Sequence, residues 1–299
     1  LKFLIMNLLQ KAKNYVSVEI KAFKCRNKLK SKKLFKIVLK SGNLKNIHEG
    51  KRIYILGTGP SIKSQNLIPL NKEITIALNE FYLHSDIDKI RPTYYLFTGY
   101  ANHTDTIKYD VAVNWYRNFE KCIKRNNGIS LLTIDDYDFL KNNNLFQDMN
   151  MEKYFLNYVV SSKKVNRYKF KKSYLNLFGD NAAINAIGIA MYMGAKEICL
   201  LGLDHDWILT FKDKKQNHFY DDSDSLVYKD HSSYFKRITL MDNLLLYIKI
   251  FGHYEALEKY ARKYNIDIFN LTNGGLLDVF RTKNFEKHLN ETQNQEIKS

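Results

Sequence analysis

Proline is scarce in this 299-residue chain, with three in all, and no long Gly/Ser tract interrupts it. That argues against flexibly linked domains. One large domain, or one with an appendage, is the natural reading of the length. Cysteine is equally sparse: Cys25, Cys122 and Cys199 are odd in number, far apart and form no C-x-x-C pair. The spacing argues against a disulfide framework and a structural zinc site, and a cytoplasmic setting is expected. Cys199 sits within an apolar run and reads as a small core residue. Neither a G-x-x-x-x-G-K-[ST] phosphate loop nor an H-x-x-x-H metal motif occurs.

What is abundant is positive charge, and it is uneven. The chain carries a net +16, and residues 1–50 hold 13 Lys/Arg against only Glu19 and Glu49, or +11. Basicity is thus concentrated in an N-terminal arm, which argues against a general nucleic-acid-binding surface. The arm sets two apolar clusters among lysines: Phe3, Leu4, Ile5, Leu8 and Leu9, then Leu34, Phe35, Ile37, Val38 and Leu39. Its apolar runs fall far short of the roughly 20 residues that span a bilayer. It also lacks the small-residue cleavage site of a secretory signal. An amphipathic Lys-rich arm can lie on an anionic membrane surface, here the inner face of the cytoplasmic membrane. A solvated helical extension and a homo-oligomer contact are the alternatives.

Along the chain, strands are expected at Arg52–Leu56, Ile74–Leu78, Thr93–Phe97, Ser130–Ile134, Glu197–Leu201 and Ile266–Leu271. Helices are expected over the arm 1–50, near Ser61–Leu67, and over Tyr109–Lys124, Ala182–Met193 and 232–264, the last broken near Gly252. Asp180 or Asn181 caps the small-residue helix and Gly194 ends it. Residues 136–172 carry no assignable pattern. Residues 205–231 are polar and aromatic, contain three histidines, and read as a lid. The domains are therefore an arm, 1–50, a catalytic domain, 51–285, with its lid at 205–231, and a polar tail, 286–299. Strands alternating with helices predict an α/β fold, a Rossmann-like doubly wound, mainly parallel sheet. Ligand groups are expected beyond the carboxyl ends of its strands.

At those ends stand the informative residues. Ile53-Tyr54-Ile55-Leu56 runs into Gly57-Thr58-Gly59-Pro60-Ser61, a turn whose glycines let a phosphate or sugar approach backbone N–H groups. The second strand ends in Asn79, the third in Thr98-Gly99, and the fifth in Gly202-Leu203-Asp204. Gly179-Asp180-Asn181 opens the small-residue helix. Gly57, Thr58, Gly59, Pro60, Ser61, Asn79, Thr98, Gly179, Asp180, Asn181, Gly202, Leu203 and Asp204 form the expected nucleotide site. Asp204 could instead merely cap the turn that follows it.

The order of these pieces, from Gly57-Thr58-Gly59-Pro60-Ser61 through Leu78-Asn79-Glu80-Phe81-Tyr82 and Gly179-Asp180-Asn181 to Met193-Gly194-Ala195-Lys196-Glu197-Ile198, Leu201-Gly202-Leu203-Asp204 and Leu276-Leu277-Asp278-Val279-Phe280, resembles the bacterial sialyltransferases of glycosyltransferase family 42. It is also similar to the 6-hydroxymethylpterin diphosphokinase-like proteins of surface-polysaccharide clusters. The resemblance spans roughly residues 51–281. It implies a GT-A-like sialyltransferase variant of the fold, a CMP-linked nonulosonic acid donor, inversion at the anomeric carbon and no metal or cofactor. It also implies a histidine base, tyrosines of the lid holding the donor phosphate, and nucleotide contacts from the glycine turn and Asn79. Thr58 stands where those enzymes carry Asn, and His205-Asp206-Trp207 replaces the first lid tyrosine. Asn217-His218-Phe219-Tyr220 looks more like the polysaccharide-cluster branch.

Transfer from such a donor needs a base for the acceptor hydroxyl, donors for the departing phosphate and exclusion of water. His218 and His253 are the candidate bases, with His205 and His231 behind them, and Tyr220 is a candidate phosphate donor; Tyr228 is its alternative. Each histidine could equally be structural. Asp204, His205, Asp206, His218, Asp221, Asp222 and Asp224 could gather a divalent metal, but a charged solvated loop is the simpler reading. The expected function is glycosyl transfer from a nucleotide-sugar donor to a surface glycan or glycolipid acceptor. The alternatives are an ATP- and Mg²⁺-dependent pterin-type diphosphokinase and a non-catalytic scaffold of a polysaccharide assembly complex.

Overall fold

A computed structural model describes residues 32–98, 107–158, 176–177, 181–211, 218–221, 224–226 and 239–296. Among the described residues nine strands build one sheet: β1 Arg52–Leu56, β2 Thr75–Leu78, β3 Tyr94–Leu96, β4 Ile129–Thr133, β5 Lys153–Tyr158, β6 Asn176–Leu177, β7 Glu197–Leu201, β8 Asp267–Asn270 and β9 Arg281–Thr282. Their order is β6-β5-β4-β3-β2-β1-β7-β8-β9, and every neighbouring pair is parallel. The helices are α1 Lys32–Leu39, α2 Ile87–Ile90, α3 Tyr109–Asn126, α4 Tyr137–Asn142, α5 Ala182–Tyr192, α6 Leu240–Lys263 and α7 Phe285–Glu296. This is the Rossmann-like doubly wound α/β fold expected from the alternation.

Strand periodicity explains the two layers. On β1, Tyr54 and Leu56 point into one core with Phe97, Phe119, Cys199 and Leu201. Ile53 and Ile55 point into the other with Ile76, Leu96, Ile184, Ile187, Tyr254 and Leu257. A strand buried on both faces has no polar side to show, which is why β1, β2 and β7 read as continuous apolar runs. In α5, Ala183 through Tyr192 are all buried. Its alanines and Gly188 let the helix lie close over the central strands.

Several segments differ from expectation. Near Ser61–Leu67 there are two 3₁₀ turns, Pro60–Ser64 and Ile68–Lys72, each with a proline in its first turn. The unassigned stretch contains α4 and β5, while residues 159–175 lie outside the described residues. Helix α6 runs unbroken through Gly252, where an added Cβ would meet nothing within 4 Å; a glycine there only lowers propensity. A ninth strand follows Ile266–Leu271, so β8 is not the last.

Residues 32–50 pack on the body. Val38 and Leu44 are fully buried. The N–H groups of Asn46, His48 and Gly50 donate to the carbonyls of Tyr192, Met193 and Gly194 at 3.0, 2.9 and 3.0 Å. At the other terminus α7 begins at Phe285, one residue before the stretch read as a polar tail, runs through most of that stretch, and buries Phe285, His288 and Leu289. Residues 1–31 lie outside the described residues. Among the described residues no helix is long and apolar enough to cross a membrane.

Candidate functional site

The strand order reverses between β1 and β7. In an open doubly wound sheet the crevice at such a reversal, beyond the strand carboxyl ends, is where ligands bind. Gly57-Thr58-Gly59 leaves β1 there and Gly202-Leu203-Asp204 leaves β7. The two turns are locked together: Gly57 N–H donates to the Leu201 carbonyl at 2.8 Å and Gly59 N–H to that of Gly202 at 2.9 Å.

The glycines are required by this approach. A Cβ on Gly57 would lie 2.3 Å from the Gly202 oxygen, and one on Gly59 would lie 1.8 Å from an Asp204 carboxylate oxygen. Their first role is therefore close packing between adjacent strand ends.

Asp204 is buried and accepts from Ser61 twice, from its backbone N–H at 3.0 Å and its hydroxyl at 2.8 Å. Burial pushes its carboxyl above the usual carboxylate range, and the two Ser61 bonds oppose that rise. The loop after β8 closes over it. Leu276 N–H donates to the Asp204 carbonyl at 2.7 Å, and Gly275, at φ +82°, lies so close that a Cβ would meet that oxygen at 2.5 Å. Leu203 N–H is accepted by the Thr272 hydroxyl at 3.2 Å.

At the end of β2, Asn79 adopts a left-handed backbone, φ 44°, a conformation asparagine tolerates better than most residues. Its Oδ1 accepts from both the backbone N–H and the hydroxyl of Thr98 at the end of β3, at 3.3 and 3.1 Å. That fixes the amide orientation, and its Nδ2 has no hydrogen-bond partner among the described residues. Asn181 accepts from Ala183 N–H at 2.7 Å and caps α5. Because β6 and α5 are consecutive, this helix starts on the same edge of the sheet. Gly179 and Asp180 lie outside the described residues, as do Tyr228 and His231.

Residues 218–221 and 224–226, within the stretch expected to form a lid, are attached to this edge. Phe219 N–H donates to the Thr58 carbonyl at 2.9 Å. The Tyr220 hydroxyl donates to Glu80 at 2.8 Å, and the Ser225 hydroxyl donates to the other Glu80 oxygen. Glu80 is buried and was not among the expected site residues. Its signal was present: one carboxylate directly after Asn79 and directly before the aromatic pair Phe81-Tyr82. Phe219 packs edge-on to Phe81 with ring centres 5.8 Å apart. His218 stacks on Tyr220 at 4.9 Å, 14° from parallel, and burial pushes its pKa down to about 4.

The histidines therefore occupy different surroundings. His205 turns away from the crevice: its Nε2 lies 2.7 Å from the Tyr254 hydroxyl on α6, its ring packs on Trp207 and Phe251, and burial pushes its pKa down to about 4. His253 lies on α6, partly buried, with its pKa pushed down by burial and then by Lys249. Among the described residues its ring makes no hydrogen bond or ring contact with the strand ends. Of the set considered for a metal, Asp222 lies outside the described residues; among the described ones Asp204 is bonded to Ser61 and His205 to Tyr254, and they form no cluster of ligand atoms.

One Glu/Cys/His cluster does gather, at the opposite edge of the sheet: Glu197, Cys199 and His288. His288 Nε2 lies 3.2 Å from Glu197 and 3.4 Å from the Cys199 sulfur. Arg52 pairs with the same Glu197 oxygen, Lys283 Nζ lies 3.5 Å from His288 Nδ1, and burial raises the Cys199 thiol pKa far above its usual value. Two cations and a protonated thiol make this a closed structural network. A cavity of about 600 Å³ opens near that edge, lined by Lys196, Glu258, Arg262, Asp267 and Arg281 among others. Arg262 and Arg281 are paired there with Glu258 and Asp267, and Lys196 with the Asn265 carbonyl.

Fold and site together define a doubly wound α/β protein with polar groups assembled at its switch point. No family model matches the sequence, and no curated protein matches it. Among solved structures the chain is similar to the sialyltransferase CstII from Campylobacter jejuni in complex with a substrate analogue, cytidine-5′-monophosphate. The match has 17% identity and a TM-score of 0.40, and covers 79% of this chain and 88% of that one.

Proposed function

We propose that the chain is a glycosyltransferase that moves a sialic-acid-like sugar from a CMP-activated donor to a glycan or glycolipid acceptor, with inversion and without a metal. The observation that carries this reading is Asn79. It stands at a strand end beside the switch point, with its carbonyl held by Thr98 and its amide left to donate to a ligand. The order of the strand-end motifs along the chain supports the same reading. In it, Asn79 and the backbone about Thr58 hold the nucleotide. The N-terminus of α5 faces the departing phosphate, whose negative charge the helix dipole favours. His218, neutral at physiological pH, takes the acceptor proton. Tyr220, released from Glu80 when donor binds, adds a hydroxyl donor to the phosphate. The closed lid excludes water, which suppresses hydrolysis of the donor.

The test is a thermal-shift screen with CMP, UDP, GDP, ADP and ATP, each with and without Mg²⁺. Stabilisation by CMP that is independent of Mg²⁺ is the expected result. Stabilisation by ATP only with Mg²⁺ would replace this reading with the diphosphokinase one. No response to any nucleotide would favour a scaffold.

A further inference from the structure

Three metal-ligating side chains that the crevice does not use meet at the amino edge of the sheet. Glu197 and Cys199 lie two residues apart on β7 and so point to the same face. His288 reaches them from α7, 89 residues beyond Cys199, a separation that no spacing motif marks. Among the described residues this is the one group of His, Cys, Asp or Glu side chains whose ligand atoms come close enough to share an ion.

The three atoms form a closed triangle. His288 Nε2 lies 3.2 Å from Glu197 Oε1 and 3.4 Å from Cys199 Sγ, and Sγ lies 3.5 Å from the same oxygen. Lys283 Nζ, a donor only, stands by His288 Nδ1, which leaves the proton of the neutral ring on Nε2. Arg52 Nε, His288 Nε2–H and the Cys199 thiol then all donate to one carboxylate oxygen. The third edge, sulfur to Nε2, joins two of those donors, so hydrogen bonding gives it no role. A metal ion does. Zn–N and Zn–O bonds of about 2.0–2.1 Å and a Zn–S bond of about 2.3 Å, at tetrahedral angles, set ligand atoms about 3.3–3.6 Å apart. All three edges match that spacing to within roughly 0.2 Å.

We propose that Glu197, Cys199 and His288 form a zinc site that ties α7 to the sheet, with water as the fourth ligand. A thiolate, an imidazole and a carboxylate together suit a borderline-soft, four-coordinate ion. Binding replaces the Cys199 S–H bond with an S–Zn bond and releases that proton to solvent. The His288 proton moves from Nε2 to Nδ1, so one proton is lost per ion. Arg52 keeps its bond to Glu197 and orients the carboxylate. Lys283, exposed and 3.7 Å over the Phe269 ring, gives up its long contact with Nδ1. Without the ion, Arg52, Lys283 and His288 hold Glu197, so the network is closed in either form. The Glu197 side chain is 22% exposed and opens the way in from solvent, with Cys199 and His288 buried behind it. The site sits at the opposite end of β7 from the crevice. It takes no part in transfer chemistry and does not rest on the nucleotide reading.

The test strips the full chain with a chelator, adds excess Zn²⁺, removes free ion by gel filtration and counts what stays bound. One equivalent is expected. With Co²⁺ in place of Zn²⁺, a thiolate-to-cobalt charge-transfer band in the near ultraviolet is expected, a readout that needs no variant. Cys199→Ser and His288→Gln are each expected to weaken binding by roughly tenfold or more, and Cys199→Ser to abolish the band. Amides of α7 are expected to exchange more slowly with zinc than without it. No retained ion, a cobalt complex that lacks the band, or a Cys199→Ser chain that keeps both ion and band would overturn the proposal.

Discussion

Ser61 gives both of its hydrogen-bond donors, backbone and hydroxyl, to the Asp204 carboxylate, at 3.0 and 2.8 Å across 143 residues of sequence. The pair joins the turn after β1 to the turn after β7, so it holds the switch point shut from within the protein. Ser61→Ala removes one charge-assisted bond from a buried acceptor and is expected to cost about 1.5–3 kcal/mol. Chemical denaturation checks this. Asp204→Ala also strips the Ser61 N–H of its acceptor and is expected to lower the midpoint further.

Asn79 separates backbone need from ligand binding. Asn79→Gly preserves the left-handed conformation but removes the acceptor of both Thr98 donors, so it is expected to cost about 1–2 kcal/mol while abolishing the shift produced by CMP. Asn79→Ala loses the same bonds and also keeps a Cβ at φ 44° without the short amide that lets asparagine tolerate it, and is expected to lose about 1 kcal/mol more than the Gly variant. A Gly variant that keeps the full CMP shift would remove Asn79 from the binding site.

Tyr220 and Glu80 anchor the segment expected to act as a lid. Tyr220→Phe leaves a buried carboxylate short of one donor, at a cost of about 1–3 kcal/mol. Amides of residues 218–226 are expected to exchange faster in hydrogen–deuterium exchange, while the central strands keep their protection. Unchanged exchange across 218–226 would show that the lid is held without this bond.

Acid sensitivity has two windows. His205 and His218 are held neutral by burial, with folded pKa values of about 4 against an ordinary 6.5. The unfolded chain binds their protons first, so the stability from keeping them neutral is present above pH 6.5 and is lost as pH falls toward 4. Each contributes on the order of 3 kcal/mol to that slope. Burial alone would raise the Glu197 carboxyl, but the hydrogen bonds from His288 and Arg52 and the Arg52 charge outweigh it, and its pKa falls to about 2. Its contribution is present above the ordinary value of 4.5 and is lost as pH falls from 4.5 toward 2. Melting temperature against pH should therefore decline between 6.5 and 4 and again below 4.5. A His205→Gln variant should flatten the first decline. A profile level from pH 7 to 4 would exclude burial of both imidazoles.

The alternation of apolar runs with amphipathic segments was legible because a strand buried on both faces has no choice but to be apolar, and because its polar terminus marks the edge of the sheet. Thus Gly57, Asn79, Thr98 and Asp204 could be placed at strand ends from sequence alone. Less was legible where structure is short or depends on distant partners: α4 and β5 lie in polar, Asn-rich sequence, and the two-residue β9 exists only because β8 offers an edge.

Local composition decided which elements form and where their polar ends fall, since propensity and burial pattern act over a few residues. Tertiary structure alone decided what those ends do. It turned Asp204 to Ser61 and His205 to Tyr254, and closed Tyr220 onto Glu80. A buried polar group takes whichever partner the packed chain brings within 3 Å, and for these residues that partner lies tens of residues away or more.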